Sequence, residues 1–466
     1  KQKAVTAQLI QKSLTKITFS NKMEVDIYSR REMMTNTLLE KVFKIEERKS
    51  SVKTEVIGGV TTFLAMAYII FVNPAILSLA GMDKGALITV TCLATAIGTF
   101  LAAFIGNVPI AMAPGMGLNA FFTFTLVMGK GVPWQDALGV VFISGVFFFI
   151  LAASGLREKL ASAIPTPITI ASTAGIGLFI AFIGLKNMGI IVADPATLVA
   201  LGKFDLPVTL SILGLVLMAI FELKKVRGGI LISIVIITVL GMILGLVELP
   251  KAIISMPPSI EPIAFKLNIF GAFKISLFGS IFSFMFIDLF DSLGFLIACF
   301  REIGLVDEKG KYKGLGRMMF ADVSSTIIGA CLGTSTVTTF GESAAGIAAG
   351  AKTGLASFVT AILFLLALLV TPLVGIVPMF AAAPSLVMVG VFMFKSVRDL
   401  DLSDIKIAVP AFVTIIFMPL TYSISIGLSF GFVSYIIMHA VAKEWNKINT
   451  VLWIIGALSL VNLIWR

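Results

Sequence analysis

Residues 329–350 read G-A-C-L-G-T-S-T-V-T-T-F-G-E-S-A-A-G-I-A-A-G, and the stretch carries one carboxylate, Glu342, in an otherwise uncharged segment. An acid within hydrocarbon is costly unless it faces protein or water, so at membrane depth it marks a substrate or proton path. Gly333 and Gly341, with the hydroxyls of Thr334, Ser335, Thr336, Thr338 and Thr339, make a poor continuous helix and a good broken one. Irregular backbone is tolerated at that depth only where it is buried in protein or lines a cavity. The plainer alternative is a Ser/Thr-rich helix interface with Glu342 bonded to a neighbour, since small polar residues also pack membrane helices.

The surroundings fix the setting. Hydrophobic residues make up 58% of the 466 positions, charged residues 13%, and mean hydropathy is +1.03, far from the roughly 25% charged of a soluble domain. This is an all-α polytopic membrane protein. The net charge of +10 does not point to nucleic acid, because the basic residues fall in short clusters between apolar runs and read as topology signals. Cys92, Cys299 and Cys331 lie in apolar segments without paired or metal-ligand spacing, so neither a disulfide nor a metal site is expected. The single histidine, His439, sits near the end of the last long apolar run and reads as an interfacial helix-end residue.

Residues 1–50 are polar, with no stretch long enough to span, and are expected to be a cytoplasmic segment. Met34 opens M-T-N-T-L-L-E-K, which looks like a native start; residues 1–33 are expected to be translated leader. From Val56 onward, apolar runs near the roughly 20 residues that cross a bilayer recur. They fall at 56–80, 86–105, 110–129, 137–154, 166–185, 207–222 and 228–247, then at 276–299, 319–333, 337–350, 354–371, 381–395, 407–421 and 424–442. Residues 51–250 form one set of seven and 251–442 a second. With a cytoplasmic N-terminus, the inside connections hold fourteen lysines and arginines and the outside ones seven. That bias supports a plasma-membrane protein with both termini cytoplasmic. The tail, 443–466, contains a short apolar stretch with Trp453 and Trp465 that reads as an interfacial helix.

A seven-span unit repeated once must invert, because an odd number of crossings flips the second copy. The third span of copy one should then resemble the third span of copy two, which is the tenth overall and holds Glu342. Residues 109–120 read P-I-A-M-A-P-G-M-G-L-N-A, with Pro114, Gly115 and Gly117 interrupting an apolar run and Asn119 at the break. The first spans of the copies are offset by 220 residues and Asn119 and Glu342 by 223. Paired interrupted spans in corresponding places point to a transporter's binding site.

Asp288 and Asp291 add two acids in the eighth span; three residues apart, they share a helix face. Two close carboxylates in a low dielectric oppose joint ionisation, which suits a proton-coupled carrier. The alternative is that one aspartate merely caps or pairs locally. Glu342, Asn119 and N–H groups at two half-helix ends, among Phe121, Phe122, Phe284, Phe286, Phe290 and Phe340, suit a flat, neutral, N–H-bearing solute better than a bulk anion.

At these residues the chain resembles the AzgA-like hypoxanthine/guanine/adenine permeases of the nucleobase:cation symporters. The resemblance covers about 40–440 and is strongest in T-T-F-L-A-M-A-Y-I-I-F-V-N-P (61–74), A-M-A-P-G-M-G-L-N-A-F-F (111–122), D-L-F-D-S-L-G (288–294) and G-T-S-T-V-T-T-F-G-E-S-A-A-G (333–346). It implies about fourteen helices in two inverted repeats. Spans 1–4 and 8–11 would form a substrate-carrying core, and spans 5–7 and 12–14 a gate domain through which such proteins commonly dimerise. Short extended pieces would meet in the broken third and tenth spans. It further implies purine import with protons and no cofactor. Glu342, Asn119, Asp288 and the Gly341 backbone would be placed at the base, and Asp291, with Asp288 as the other candidate, at the proton. The rival on the same architecture is a sulfate- or bicarbonate-type anion carrier, which Glu342 opposes. An enzyme or a channel finds little support in one histidine and three scattered cysteines.

Overall fold

The computed structural model describes residues 39–153, 165–250, 252–306 and 312–464. Within these, the side chains of residues 152, 153, 275, 276, 290, 291, 293, 294 and 462 are outside the description. The leader expected at 1–33 and the inside charges at 157, 159, 309 and 311 also lie outside the described residues. Among the described residues, nine helices are long and apolar enough to cross a membrane, and Met116–Gly129, Gly229–Ile243, Leu277–Leu289 and Ile405–Leu420 are shorter apolar helices at expected span positions. With the interrupted tenth span, these are the fourteen spans of a two-repeat inverted fold.

Span 3 opens with a strand, β1 (Met112–Pro114), and continues as the helices Met116–Ala120 and Phe121–Gly129. Ile191–Asp194 (β2) and Leu198–Leu201 (β3) form a hairpin after span 5 (Thr166–Asn187). Span 10 opens with β4 (Val337–Thr339) and continues as the short helix Ser343–Ala348. β1 and β4 pair antiparallel, with Met112 opposite Thr339, Ala113 opposite Thr338 and Pro114 opposite Val337. Pro114 donates no hydrogen bond, and glycines follow at 115 and 341, so the pieces stay three residues long before helix resumes.

A two-stranded ladder has two open edges, and at membrane depth its polar groups need partners. Hydroxyls from neighbouring helices supply them. Thr99 of span 2 (Lys84–Leu101) accepts from the Met112 N–H at 3.0 Å and donates to the Met112 carbonyl at 3.2 Å. Thr326 of span 9 (Leu315–Leu332) donates to the Val337 carbonyl at 2.9 Å. These two threonines do the same work on the two strands, as internal two-fold symmetry requires. Ser343 Oγ accepts from the Ala111 N–H at 2.9 Å, and Ser357 donates to the Val108 and Ile110 carbonyls at 2.8 and 3.0 Å.

The helices divide into two packed groups. Span 1 packs on spans 10 and 11, span 2 on spans 9 and 11, and span 4 (Trp134–Ala153) on span 9. Span 5 packs on span 12 (Met379–Phe394) and span 13 (Ile405–Leu420), span 12 on span 6, span 13 on span 14 (Ile424–Val441), and span 6 on span 7. These are the core and gate groups. Small residues allow the close approach in each: a Cβ built on Gly177 of span 5 would lie 2.8 Å from the Gly390 carbonyl of span 12, and one on Gly59 of span 1 would lie 2.4 Å from the Ala356 carbonyl of span 11.

The helix Thr450–Ile464, in the segment read as interfacial, packs on span 14, with Leu452 and Ile455 in the core. Trp453, Ile454 and Leu458 are exposed on its far side. At its base, Lys406 bridges Glu444 and Asp404, and its hydrogen bond holds the Glu444 carboxyl below the ordinary glutamate value. His439 is buried, stacks on Tyr435 at 4.0 Å and donates from Nδ1 to the Tyr435 carbonyl.

Candidate functional site

Span 1 stays helical and tightens locally at Ala67 and Tyr68, both in right-handed helical backbone, between Val52–Met66 and Ile69–Leu77. Pro74 sits inside the second piece and offers no N–H to the turn before it. This helix sets Tyr68 and Asn73 against the two half-sites. Tyr68 is fully buried, and its hydroxyl donates to Glu342 Oε1. Asn73 accepts on Oδ1 from Asn119 Nδ2 at 2.7 Å and donates to Thr91 at 2.7 Å and Thr334 at 3.4 Å.

Asn119 is fully buried at the span 3 break, and its carbonyl oxygen accepts from Ser335, just ahead of β4. The amide therefore ties spans 1, 3 and 10 together. Glu342 stands at the end of the break in span 10 and is half-buried. Its neighbour Gly341 is exposed, and a Cβ built there meets nothing within 4 Å. Exposure recurs at Ala344 and Ala348, one face of the half-helix, whereas Met116–Ala120 is buried throughout. The exposed face at the crossing is thus on the Glu342 side.

Asp288 lies in span 8 (Ile275–Glu302), buried, with Oδ2 3.5 Å from Thr326 Oγ1, the hydroxyl that caps β4. One turn on, Ser292 and Thr338 of β4 share a hydrogen bond. Span 8 is thereby docked on the strand, and its two aspartates share that helix; the Asp291 side chain is outside the described residues. Several of the expected aromatic neighbours pack away from the crossing. Phe121 and Phe284 meet edge to face at 4.9 Å, and Phe286 packs on Phe432 at 5.4 Å. Phe122 is fully buried, and the Phe290 side chain is outside the described residues. Phe340 lies beside the acid, its ring 6.3 Å from that of Tyr68. A cavity of about 740 Å³ opens elsewhere, between span 8, span 14 and the last helix; Phe282, Phe286, Leu428, Phe432, Ile455 and Leu458 line it, without Asp288, Asn119 or Glu342.

Sequence reasoning named Ser335 only as one hydroxyl of the span 10 break and missed Tyr68 and Asn73. The signal for these two was present: a tyrosine and an asparagine within the apolar run A-Y-I-I-F-V-N-P. Asp322, a further buried acid in span 9, was also passed over.

Comparison with known proteins bears on what this crossing belongs to. A model described as "Permease family" matches residues 53–430. The chain is 43% identical over 434 residues to the guanine/hypoxanthine permease PbuG of Bacillus subtilis, covering 90% of this chain and 98% of that one. It is 41% identical over 428 residues to the adenine permease AdeP of Escherichia coli, covering 92% and 96%. Among solved structures, the transmembrane domain of a cyanobacterial bicarbonate transporter, BicA, superposes with a TM-score of 0.63 at 15% identity, over 81% of this chain and 97% of that one. At that identity the likeness concerns the fold alone. A family match over most of the chain, joined to relatives that align along nearly their whole length, makes this multi-pass membrane protein a transporter of the permease family, in the nucleobase-permease superfamily that its motifs resemble.

Proposed function

We propose that the protein imports purine nucleobases by proton symport, with an alternating-access core moving against the gate. The observation that carries this is Glu342: a half-buried carboxylate at the crossing of two broken spans, next to an exposed Gly341 whose built Cβ meets open space. A carboxylate is acceptor-only and meets N–H groups well. It repels an anion, which speaks against the sulfate- or bicarbonate-type alternative. The names of the relatives, adenine and guanine/hypoxanthine permeases, agree with a planar N–H donor as substrate. Glu342 and the Gly341 backbone would meet the base, with Asn119 holding the span 3 side of the site and Asp288 the span 8 side. Asp291 would carry the coupling proton, with Asp288 as the other candidate. The residues invoke no cofactor and no metal, and the gate group is the surface through which two copies would pair.

The test is uptake of labelled hypoxanthine, guanine, adenine, uracil and sulfate into proteoliposomes, with and without a pH gradient. Purine accumulation that collapses with the gradient is expected; uptake of sulfate in place of purine would overturn the reading. For one proton per base, a gradient of one pH unit supports accumulation of up to about tenfold. The Asp291→Asn protein is expected to bind purine and to equilibrate it without accumulating it. Undiminished accumulation by that variant would remove Asp291 from coupling.

The basic connections on the inside place the span 10 half-helix in the cytoplasmic half, so its exposed face reads as an inward-open conformation. Cysteine at Ala344 or Ala348, in protein whose native cysteines are replaced, is expected to react with a membrane-impermeant maleimide from the cytoplasmic side only. Purine should slow that reaction several-fold; equal labelling from both sides would contradict this orientation.

A further inference from the structure

We infer that Tyr68 is the positioning residue for Glu342 and, through it, sets which purines the site prefers. The inference rests on the reading of Glu342 as the residue that meets the base. Tyr68 lies midway along span 1, is 1% exposed, and donates its hydroxyl to Glu342 Oε1 across 274 residues of sequence. Its ring is further placed by Phe340, two residues before the acid. The carboxylate thus has one oxygen held from the span 1 side, while the residue beside it faces open space.

This bond has a chemical consequence. A free carboxylate can accept two adjacent N–H groups, one on each oxygen, as a 2-amino-6-oxopurine presents them. With Oε1 already accepting from the phenol, the second of those N–H groups competes with Tyr68. A 6-oxopurine without the 2-amino group offers a single N–H on that edge and leaves the phenol undisturbed. Tyr68 therefore orients the acid for either base and handicaps the base that needs both oxygens.

Tyr68→Phe removes only the hydroxyl. The expected result in reconstituted vesicles is a KM for hypoxanthine raised about tenfold, the loss of one charge-assisted hydrogen bond, with maximal rate within about twofold of wild type. The KM for guanine should rise less, so that the guanine-to-hypoxanthine selectivity ratio moves several-fold toward guanine. In a Glu342→Asp background, where the carboxylate is drawn back by one methylene, adding Tyr68→Phe should change KM by less than about twofold, because the partner is already lost. An unchanged KM and ratio would overturn the inference. So would a fall in maximal rate alone, which would put Tyr68 in the moving machinery, or a full additive effect in the Glu342→Asp background. If wild-type protein binds neither purine, the reading of the site fails first, and that outcome is separable because it appears before any substitution is made.

Discussion

Glu342→Gln protein is expected to fold as wild type does and to lose hypoxanthine affinity by about 10- to 100-fold, since an N–H bond to a carboxylate contributes about 1.5–3 kcal/mol. Glutamine matches glutamate in length and can still accept from Tyr68, so span 1 and the half-helix keep their contact. What changes is the second atom. An NH₂ replaces the free acceptor and turns a donor toward the N–H of the base, leaving both groups unsatisfied. Equilibrium binding of labelled hypoxanthine to purified protein checks this, with melting temperature as the control for folding. Wild-type affinity would remove Glu342 from the site; a large fall in melting temperature would make it a structural residue.

A second large effect is expected four residues on, and it concerns the fold. The helix Ser343–Ala348 leans on span 1 at Gly346, where a built Cβ would lie 2.1 Å from Thr62 Oγ1 and 2.7 Å from the Gly58 carbonyl oxygen. The hydroxyl can rotate away, but the carbonyl belongs to the span 1 backbone. Overpacking of this kind costs about 1–3 kcal/mol for added methylenes in a packed core, and Gly346→Val adds three carbons where the first already clashes. The variant should lose much of its yield in the membrane and melt well below wild type. Any protein recovered should bind purine poorly, since the displaced half-helix carries Glu342 away from Tyr68. Gly341→Ala is the internal control: its methyl enters open space, so the protein should fold normally and lose only affinity. Equal melting temperatures for the two variants would show that Gly346 is not the close contact described.

Both predictions depend on residues whose importance was visible to unequal degrees. The spans were legible because hydropathy and loop charge are local properties: the expected 166–185, 207–222 and 424–442 correspond to Thr166–Asn187, Leu206–Leu223 and Ile424–Val441. The breaks in spans 3 and 10 were legible because proline, glycine and clustered hydroxyls disfavour helix wherever they stand. The role of Tyr68 in span 1 was not, since the helix runs on through it and its partner lies in span 10. Nor was it legible which phenylalanines would flank the acid: Phe340 does, whereas Phe286 faces a different cavity.

From the chain alone came the membrane setting, the two inverted sets of seven, the two interrupted spans and a carboxylate that hydrocarbon would not tolerate unaided. Only the folded molecule decided what meets that carboxylate. Tyr68 reaches Glu342 across 274 positions and Ser335 reaches Asn119 across 216, pairings no local propensity encodes. They exist because two three-residue strands cross in the core and neighbouring helices lend hydroxyls to their edges, which brings distant side chains within bonding reach.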